Sequence, residues 1–319
     1  MMTLVYVEFK NGVLRESSQS ALTAASMFDG PIHALALGAV DAEALKPYGV
    51  EKVLHVDDDR LNTYAPGANG KALHQVIQSQ SADTIVAAST AEANESLARA
   101  AALGDWGFAS ACTELSVEGD AVNLTRAIWG GSLFQEAQLT GSPKIITVDP
   151  NSFSPQQASA PGAATVEAVS VSLDDSDFVD QLKTVEKGEQ EGIPLTAAKV
   201  VIGGGRGMGS EEAFAILEEL AGLLNGAVGG SRVATNNGWR PHSDQIGQTG
   251  AQIAPDVYIA CGISGAIQHM VGCKNSKNII AINKDAEAPI FQRASHGVIG
   301  DLHEILPALI EEVKKVKGS

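Results

Sequence analysis

The sequence predicts an α/β protein of two domains, each a largely parallel β-sheet flanked by helices. Three observations carry this expectation. Short apolar runs alternate with stretches of helical length, the pattern of repeated β-α-β units. The chain has 319 residues, enough for about two hydrophobic cores. The polar stretch Lys183-Thr184-Val185-Glu186-Lys187-Gly188-Glu189-Gln190-Glu191-Gly192 interrupts the pattern with charge and glycine, and has no large apolar residue beyond Val185. That is the composition of a linker. The expected domains are therefore 1–187 and 188–319.

In the first domain, residues 4–9 read as a strand, 17–28 as an Ala- and Ser-rich helix, and 32–37 as a second strand. A short helix near 41–46 leads to the brief strand Val53-Leu54-His55-Val56. Residues 70–80 form a helix, 83–88 a strand and 91–103 an Ala-rich helix. From 107 to 148 shorter strands are expected, with glycine turns at Gly119-Asp120 and Gly130-Gly131. Three prolines with Ser and Gln make 150–163 a loop, followed by a strand at 165–173. His33, His55 and His74 lack ligand spacing and are expected to be structural or exposed.

The second domain opens with the strand Lys199-Val200-Val201-Ile202 and the run Gly203-Gly204-Gly205-Arg206-Gly207-Met208-Gly209. Ser210 is expected to cap a helix over 210–224, with two Glu in its first turn. A glycine-rich turn between strand and helix suits a phosphate or a close-lying sugar. The run fits neither G-x-G-x-x-G nor G-x-x-x-x-G-K-[ST] in any register, which disfavours an ordinary NAD site and a P-loop. Arg206, the one cation among these glycines, points to an anion. Residues 227–232 read as a strand ending in Ser231-Arg232, followed by Asn236-Asn237-Gly238-Trp239. Gln245-Ile246-Gly247-Gln248-Thr249-Gly250 is too polar and glycine-rich for core and too short for a helix.

The richest segment runs from Asp256 to Asp301. Val257-Tyr258-Ile259-Ala260 is a buried strand, and Gly262 allows the chain to swing off its end. Ser264 stands where a helix N-cap is expected and Gly272 where the helix should stop. The free backbone N–H groups of such a turn form a phosphate cradle. His269, one turn beyond Gly265, can lean back over whatever the turn holds. Asn278-Ile279-Ile280-Ala281-Ile282 is another strand, with Asn283 and Asp285 just beyond it. In open parallel sheets ligands bind beyond the strand carboxyl ends.

Composition removes several function classes. The formal net charge of −16 opposes sequence-independent binding to nucleic acid or anionic membrane surfaces, which needs clustered Lys and Arg. Three cysteines, Cys112, Cys261 and Cys273, form no CxxC, so a disulfide scaffold or zinc site is not expected; small buried thiols are. No apolar run reaches the ~20 residues of a membrane span. The N-terminus shows neither a basic-then-apolar leader nor an Arg-rich one, so a soluble, cytoplasmic protein is expected.

Four words occur in order: Gly262-Ile263-Ser264-Gly265-Ala266-Ile267-Gln268-His269, Ala281-Ile282-Asn283-Lys284-Asp285, Ala288-Pro289-Ile290-Phe291 and Gly300-Asp301-Leu302. Together they resemble the C-terminal domain of electron transfer flavoprotein alpha subunits. Glu95-Ser96-Leu97-Ala98-Arg99, Thr113-Glu114-Leu115 and Ile128-Trp129-Gly130-Gly131 carry the resemblance, more weakly, into the first domain. It implies a Rossmann-like second domain that binds FAD non-covalently, and a first domain that packs against a beta subunit, which in ordinary members also holds AMP. Electrons would arrive from acyl-CoA or other flavin dehydrogenases, as in fatty acid beta-oxidation, and leave toward a membrane quinone oxidoreductase. Such a protein is an electron carrier rather than an enzyme with its own substrate. The bifurcating subclass differs by a second flavin and an NADH site, mainly on the partner.

The resemblance also assigns residues. Arg206, Ser231, Ser264, Asn283, Asp301 and Leu302 would bind the ribityl, diphosphate and adenosine parts. Ser231-Arg232 and Ile246-Gly247-Gln248-Thr249 would line the flavin, with Gly265, Ala266, Ile267, Gln268 and His269 completing the set. Arg232 would be the fixed cation near the ring. A unit charge at about 4 Å and an effective dielectric of about 20 contributes roughly 4 kcal/mol, on the order of 170 mV as an upper bound. That suffices to favour an anionic semiquinone. His269 would donate to the carbonyl edge and Thr249 would hydrogen-bond a ring nitrogen. The chain departs from the family at Asn236, usually Asp, and at Ser295-His296-Gly297, usually Asp-Tyr-Gly.

Two other classes share some of these features. Gly262-Ile263-Ser264-Gly265 approaches the nucleophile elbow G-x-S-x-G, with Asp285 and His296 following in α/β-hydrolase order; Ala266 replaces the last glycine. A non-catalytic module that binds adenine nucleotides would share the glycine turns without needing Arg232, Thr249 and His269 together.

Overall fold

The computed structural model describes residues 2–10, 12–129, 133–183 and 192–318. The division expected near residue 188, most of the polar stretch and Gly130-Gly131 lie outside the described residues. The described chain falls into two compact units, one ending at residue 183 and one starting at 192.

The first unit contains β1 (Thr3–Tyr6), a small hairpin of β2 (Phe9–Lys10) and β3 (Val13–Leu14), α1 (Glu16–Ala25), β4 (Ile32–Leu37), β5 (Val50–Val56), α2 (Pro66–Gln80), β6 (Thr84–Ala88) and α3 (Ala91–Gly104). It continues with β7 (Gly107–Glu118), β8 (Ala121–Ile128), β9 (Leu133–Leu139), β10 (Lys144–Val148) and β11 (Thr165–Ala168). Eleven strands thus include nine in one sheet, ordered β11-β5-β4-β1-β6-β10-β7-β8-β9. Strands β11 through β7 pair parallel, whereas β8 and β9 continue antiparallel. Alternate side chains of the parallel strands face opposite layers. Val5, Ala34 and Val86 pack with Leu22 of α1, whereas Leu4, Leu35 and Ile85 pack with Leu73 of α2 and Leu97 of α3.

Several boundaries differ from expectation. The strand expected at 4–9 ends at Tyr6, and Phe9 belongs to the hairpin. The region from 107 was expected to hold shorter strands, yet β7 has 12 residues, prolonged by its antiparallel pairing with β8. The strand expected at 165–173 is only β11. His55 Nε2 lies 2.6 Å from the Gly38 carbonyl oxygen, and His74 stacks on Trp106 at 4.8 Å between centroids. All three thiols are buried, and burial pushes each up to about 12.

The second unit contains β12 (Val200–Gly204), α4 (Ala215–Leu224), β13 (Ala227–Gly230), α5 (Arg232–Asn236), β14 (Val257–Cys261), α6 (Ile267–Cys273), β15 (Asn278–Asn283), β16 (His296–Ile299) and α7 (Leu302–Lys317). Its five strands form one fully parallel sheet in the order β13-β12-β14-β15-β16. Ile202, Ile259 and Ile282 pack against Leu217 and Leu220 of α4 and Leu306 and Ile310 of α7. On the other face Val201, Tyr258 and Ala281 meet Ile246, Ile253, Cys273 and Ile290. Both faces are covered, as a parallel sheet requires.

Three local expectations are corrected here. Ser231-Arg232 is not the end of a strand: Ser231 precedes α5, which starts at Arg232. Ser210 does not start the α-helix; its hydroxyl accepts from the Ala213 N–H at 3.4 Å, and α4 begins at Ala215. Ser264 is not an N-cap and Gly272 is not a stop, because α6 starts at Ile267 and Gly272 lies within it. A Cβ on Gly272 would stand 2.3 Å from the Gly247 backbone nitrogen, so this glycine serves a close approach between helix and loop.

Candidate functional site

In the second unit every strand points the same way, so all outgoing loops collect at one edge. β12 has β13 on one side and β14 on the other, so successive connections leave it in opposite directions and open a crevice. Two backbones approach closely there: a Cβ on Gly262, whose φ is 63°, would lie 2.6 Å from the Gly207 Cα. The cleft measures about 740 Å³, within the range of roughly 300–1,000 Å³ for small-molecule sites.

Its wall follows the strand ends. Arg206, Gly207 and Gly209 come after β12, and Ser231, Arg232 and Val233 after β13. Gly262, Ile263, Ser264, Ala266, Gln268 and His269 follow β14. Asn283 ends β15 and is followed by Lys284 and Asp285, and Gly300, Asp301, Leu302 and His303 follow β16. Gln245, Ile246, Gly247, Gln248 and Thr249 close one side. Of the residues proposed from sequence, all line this cleft except Gly265 and Ile267. Gly265, at φ 81°, packs against the Ile290 backbone, and Ile267 is exposed. Asn236, Ser295 and His296 are not in the lining.

The hydrogen bonds give the lining its polarity. Thr235 Oγ1 donates to Gln245 Oε1 at 2.8 Å, and Gln245 Nε2 donates to Thr249 Oγ1 at 2.9 Å. The Thr249 hydroxyl thus accepts from behind and keeps its own proton for the cleft. Asn283 braces two loops, donating from Nδ2 to the Ile263 carbonyl at 3.0 Å and accepting from the Asp285 N–H at 3.0 Å. Asp301 caps α7 by accepting from the His303 N–H at 2.8 Å. Arg240 holds the 245–249 loop from beneath, 2.7 Å from the buried Asp244 carboxylate and 2.5 Å from Glu218. Among the described residues neither Arg206 nor Arg232 forms an ion pair.

His269 is buried, its Nε2 lies 2.8 Å from the Tyr258 hydroxyl, and its Nδ1 has no hydrogen-bond partner. Burial lowers its pKa to about 4, against a weaker opposing pull from the Ile246 backbone, so the ring is neutral at pH 7. Ser231 Oγ is a second buried polar atom without a partner. No side chain caps the start of α5 or α6. Two lining residues that each carry a buried, orphaned polar atom, two free guanidinium groups and uncapped helix starts beside one cleft fit a ligand with phosphates and a polar heteroaromatic ring. They fit a flavin dinucleotide. The elbow arrangement is not assembled: among the described residues Ser264 makes no hydrogen bond to a histidine, and His296 is outside the lining.

Tyr258 and the Arg240–Asp244 pair were not foreseen as parts of the site. Tyr258 meets His269 eleven residues on, and Arg240 meets Glu218 of α4 as well as Asp244 four residues on, so only the i,i+4 spacing of Arg240 and Asp244 was a signal in the sequence. Among the described residues no group of His, Cys, Asp and Glu side chains can hold a metal ion, and no helix is long and apolar enough to cross a membrane.

Comparison with known proteins agrees with this geometry. The family profile for the electron transfer flavoprotein domain matches residues 3–174, and that for the electron transfer flavoprotein FAD-binding domain matches residues 194–274. The chain is similar to the electron transfer flavoprotein subunit alpha of Bacillus subtilis, 37% identical over 318 residues, covering 98% of this chain and 97% of the relative. The subunits alpha of Paracoccus denitrificans, at 38% over 97% and 99% of the two chains, and of Pseudomonas aeruginosa, at 39% over 98% and 100%, are similar too. The chain belongs to the electron transfer flavoprotein subunit alpha family.

Proposed function

We propose that this chain, paired with a beta subunit, binds one FAD non-covalently in the cleft of its second unit and carries single electrons. The observation that carries this reading is the convergence of three groups: the unpaired Arg232, the free Thr249 hydroxyl proton and the orphaned His269 Nδ1. When bound, FAD supplies the one-electron redox chemistry. Arg232 would supply a fixed positive charge and His269 a neutral donor, which together would favour negative charge on the bound flavin. Thr249, which accepts from Gln245 Nε2, would offer its hydroxyl proton to a ring nitrogen. Arg206, Ser231, Ser264, Asn283, Asp301 and Leu302 hold the rest of the dinucleotide.

The donors are acyl-CoA or related flavin dehydrogenases of fatty acid beta-oxidation, and the acceptor is a membrane quinone oxidoreductase. The first unit packs against the beta subunit, which also holds AMP, and the complex works in the cytoplasm. The domain division lies near residue 188. Co-expression with the beta subunit, followed by absorption spectra and a flavin count, tests the reading. One FAD per heterodimer is expected. Two would move the complex to the bifurcating subclass, and a colourless complex that takes up no added FAD would overturn the proposal.

A further inference from the structure

Tyr258 does not line the cleft, yet its hydroxyl decides what His269 offers there. We propose that Tyr258 is a positioning residue that locks His269 into the neutral tautomer with its proton on Nδ1, so that the imidazole meets the cleft ligand as a donor. The tautomer assignment stands on this chain alone; only the identity of the acceptor rests on the flavin reading.

The argument is one of hydrogen-bond satisfaction. Tyr258, the second residue of β14, is fully buried, and burial holds its phenol pKa well above the ordinary value, so the hydroxyl keeps its proton. Its one hydrogen bond among the described residues is to His269 Nε2, at 2.8 Å. That contact can run in either direction. If Nε2–H donated to the phenol oxygen, the phenol proton would be buried without an acceptor, and Nδ1 would be a bare acceptor, also unpartnered. If the phenol donates to Nε2, one bond satisfies both groups, and the only orphan is the buried Nδ1–H of a residue that lines the cleft. An unmet buried donor carries a penalty equivalent to roughly tenfold or more in the tautomer ratio. The second arrangement therefore dominates.

The surroundings hold this pair in place. A Cβ on Gly203 would stand 2.3 Å from the Tyr258 hydroxyl oxygen, so the first residue of the glycine run makes room for the phenol rather than for a ligand. Cys273 Sγ donates to the His269 backbone carbonyl at 3.7 Å and fixes the helix turn that carries the ring. Cys273 and Cys261, the titratable neighbours of Tyr258, remain thiols because burial raises both. Among the described residues no charged group competes for Nε2.

The test uses the full chain with its beta subunit, labelled with 15N at histidine, after flavin removal and after FAD addition. Nε2 couples to both ring carbon protons and Nδ1 strongly to one, which assigns the two nitrogens; His269→Gln identifies the residue among the seven histidines. A pyridine-like Nε2 and a pyrrole-like Nδ1 are expected in the parent without flavin. In Tyr258→Phe the preference is lost and the proton affinity of the ring rises roughly two- to tenfold, because the hydrogen bond that favoured its neutral form is gone. A pyrrole-like Nε2 in the parent overturns the proposal, even if the variant does not fold. So does an unchanged tautomer in a folded Tyr258→Phe. If the tautomer is as stated but added FAD leaves the Nδ1 signal unmoved, the flavin reading fails while the role of Tyr258 stands.

Discussion

Replacing Gly272 by alanine sets two effects of known sign against each other. An alanine inside a helix stabilises by about 1 kcal/mol relative to glycine. Here the new methyl would lie 2.3 Å from the Gly247 nitrogen, 2.5 Å from its Cα and 3.1 Å from the Ala251 carbonyl oxygen. These are backbone atoms, so relief requires a loop shift of about 1 Å rather than a rotamer change, and overpacking of this kind costs roughly 1–3 kcal/mol. The same shift strains the bonds that fasten the loop, from Gly247 N–H to the Ala251 carbonyl at 3.2 Å and from Gln248 N–H to the Gln268 carbonyl at 2.8 Å. The expected net loss is about 1–2 kcal/mol, concentrated in residues that line the cleft. Gly272→Ala should therefore hold FAD roughly 5- to 30-fold more weakly, with a smaller change in the unfolding midpoint of the flavin-free chain. Equilibrium dialysis and urea titration measure the two quantities. A variant that binds FAD as tightly as the parent and unfolds at higher urea would show that helix propensity alone governs the site, and the packing argument would be refuted.

Arg232→Ala should keep most of its FAD but yield less semiquinone in stepwise dithionite titration, since the fixed cation is removed while the phosphate contacts remain; equal yields would contradict that role. Gln245→Met keeps the volume but removes both side-chain hydrogen bonds of this buried amide, the one it accepts from Thr235 and the one it donates to Thr249, so a loss of about 1–3 kcal/mol in urea titrations is expected; an unchanged midpoint would mean that the relay bears no weight. Glu8, beyond the end of β1, is buried against Thr90 and Arg15, and burial raises its pKa from 4.5 to about 7. The folded state then binds this proton more tightly than the unfolded one, so the contribution of Glu8 is most favourable below about 4.5 and declines as pH rises to about 7. The interval sets an upper bound of ~3 kcal/mol. Glu8→Gln should flatten the fall in stability between pH 5 and 7, and parallel pH profiles for both proteins would refute this.

Most strands and the three helices of the first unit were legible because their signal is local, whereas β16 and α7 were not read from the sequence. Ile32–Leu37 is bounded as its apolar run suggests, and α3 starts at Ala91, one residue after Thr90, whose hydroxyl accepts from the Ala93 N–H. The fold class follows from that alternation alone. The ends of elements around the cleft were not legible, because their residues answer to partners distant in sequence. Gly272 resembles a helix stop until Gly247 is placed against it, and Ser264 resembles a cap until the chain is seen to run two residues further before α6. The same cause hid Tyr258, which sequence shows only as one more large residue in a buried strand. Motif words located the cleft; the groups that orient its donors carry no word of their own.

Net charge and local charge point in opposite directions here, and geometry decides between them. The chain carries −16 overall, which opposes extended polyanions. Yet that sum is spread over a surface where charges separated by more than about 8 Å are largely screened at physiological salt. Within the cleft the cations are Arg206, Arg232 and Lys284 and the acids are Asp285 and Asp301. Both acids already accept backbone N–H groups, Asp285 from Glu287 and Asp301 from His303, which turns part of their charge toward the protein's own amides. The two arginines have no such engagement. A diphosphate entering the cleft therefore meets uncommitted guanidinium groups and partly neutralised carboxylates, and an acidic protein can hold a small anion while repelling a long one.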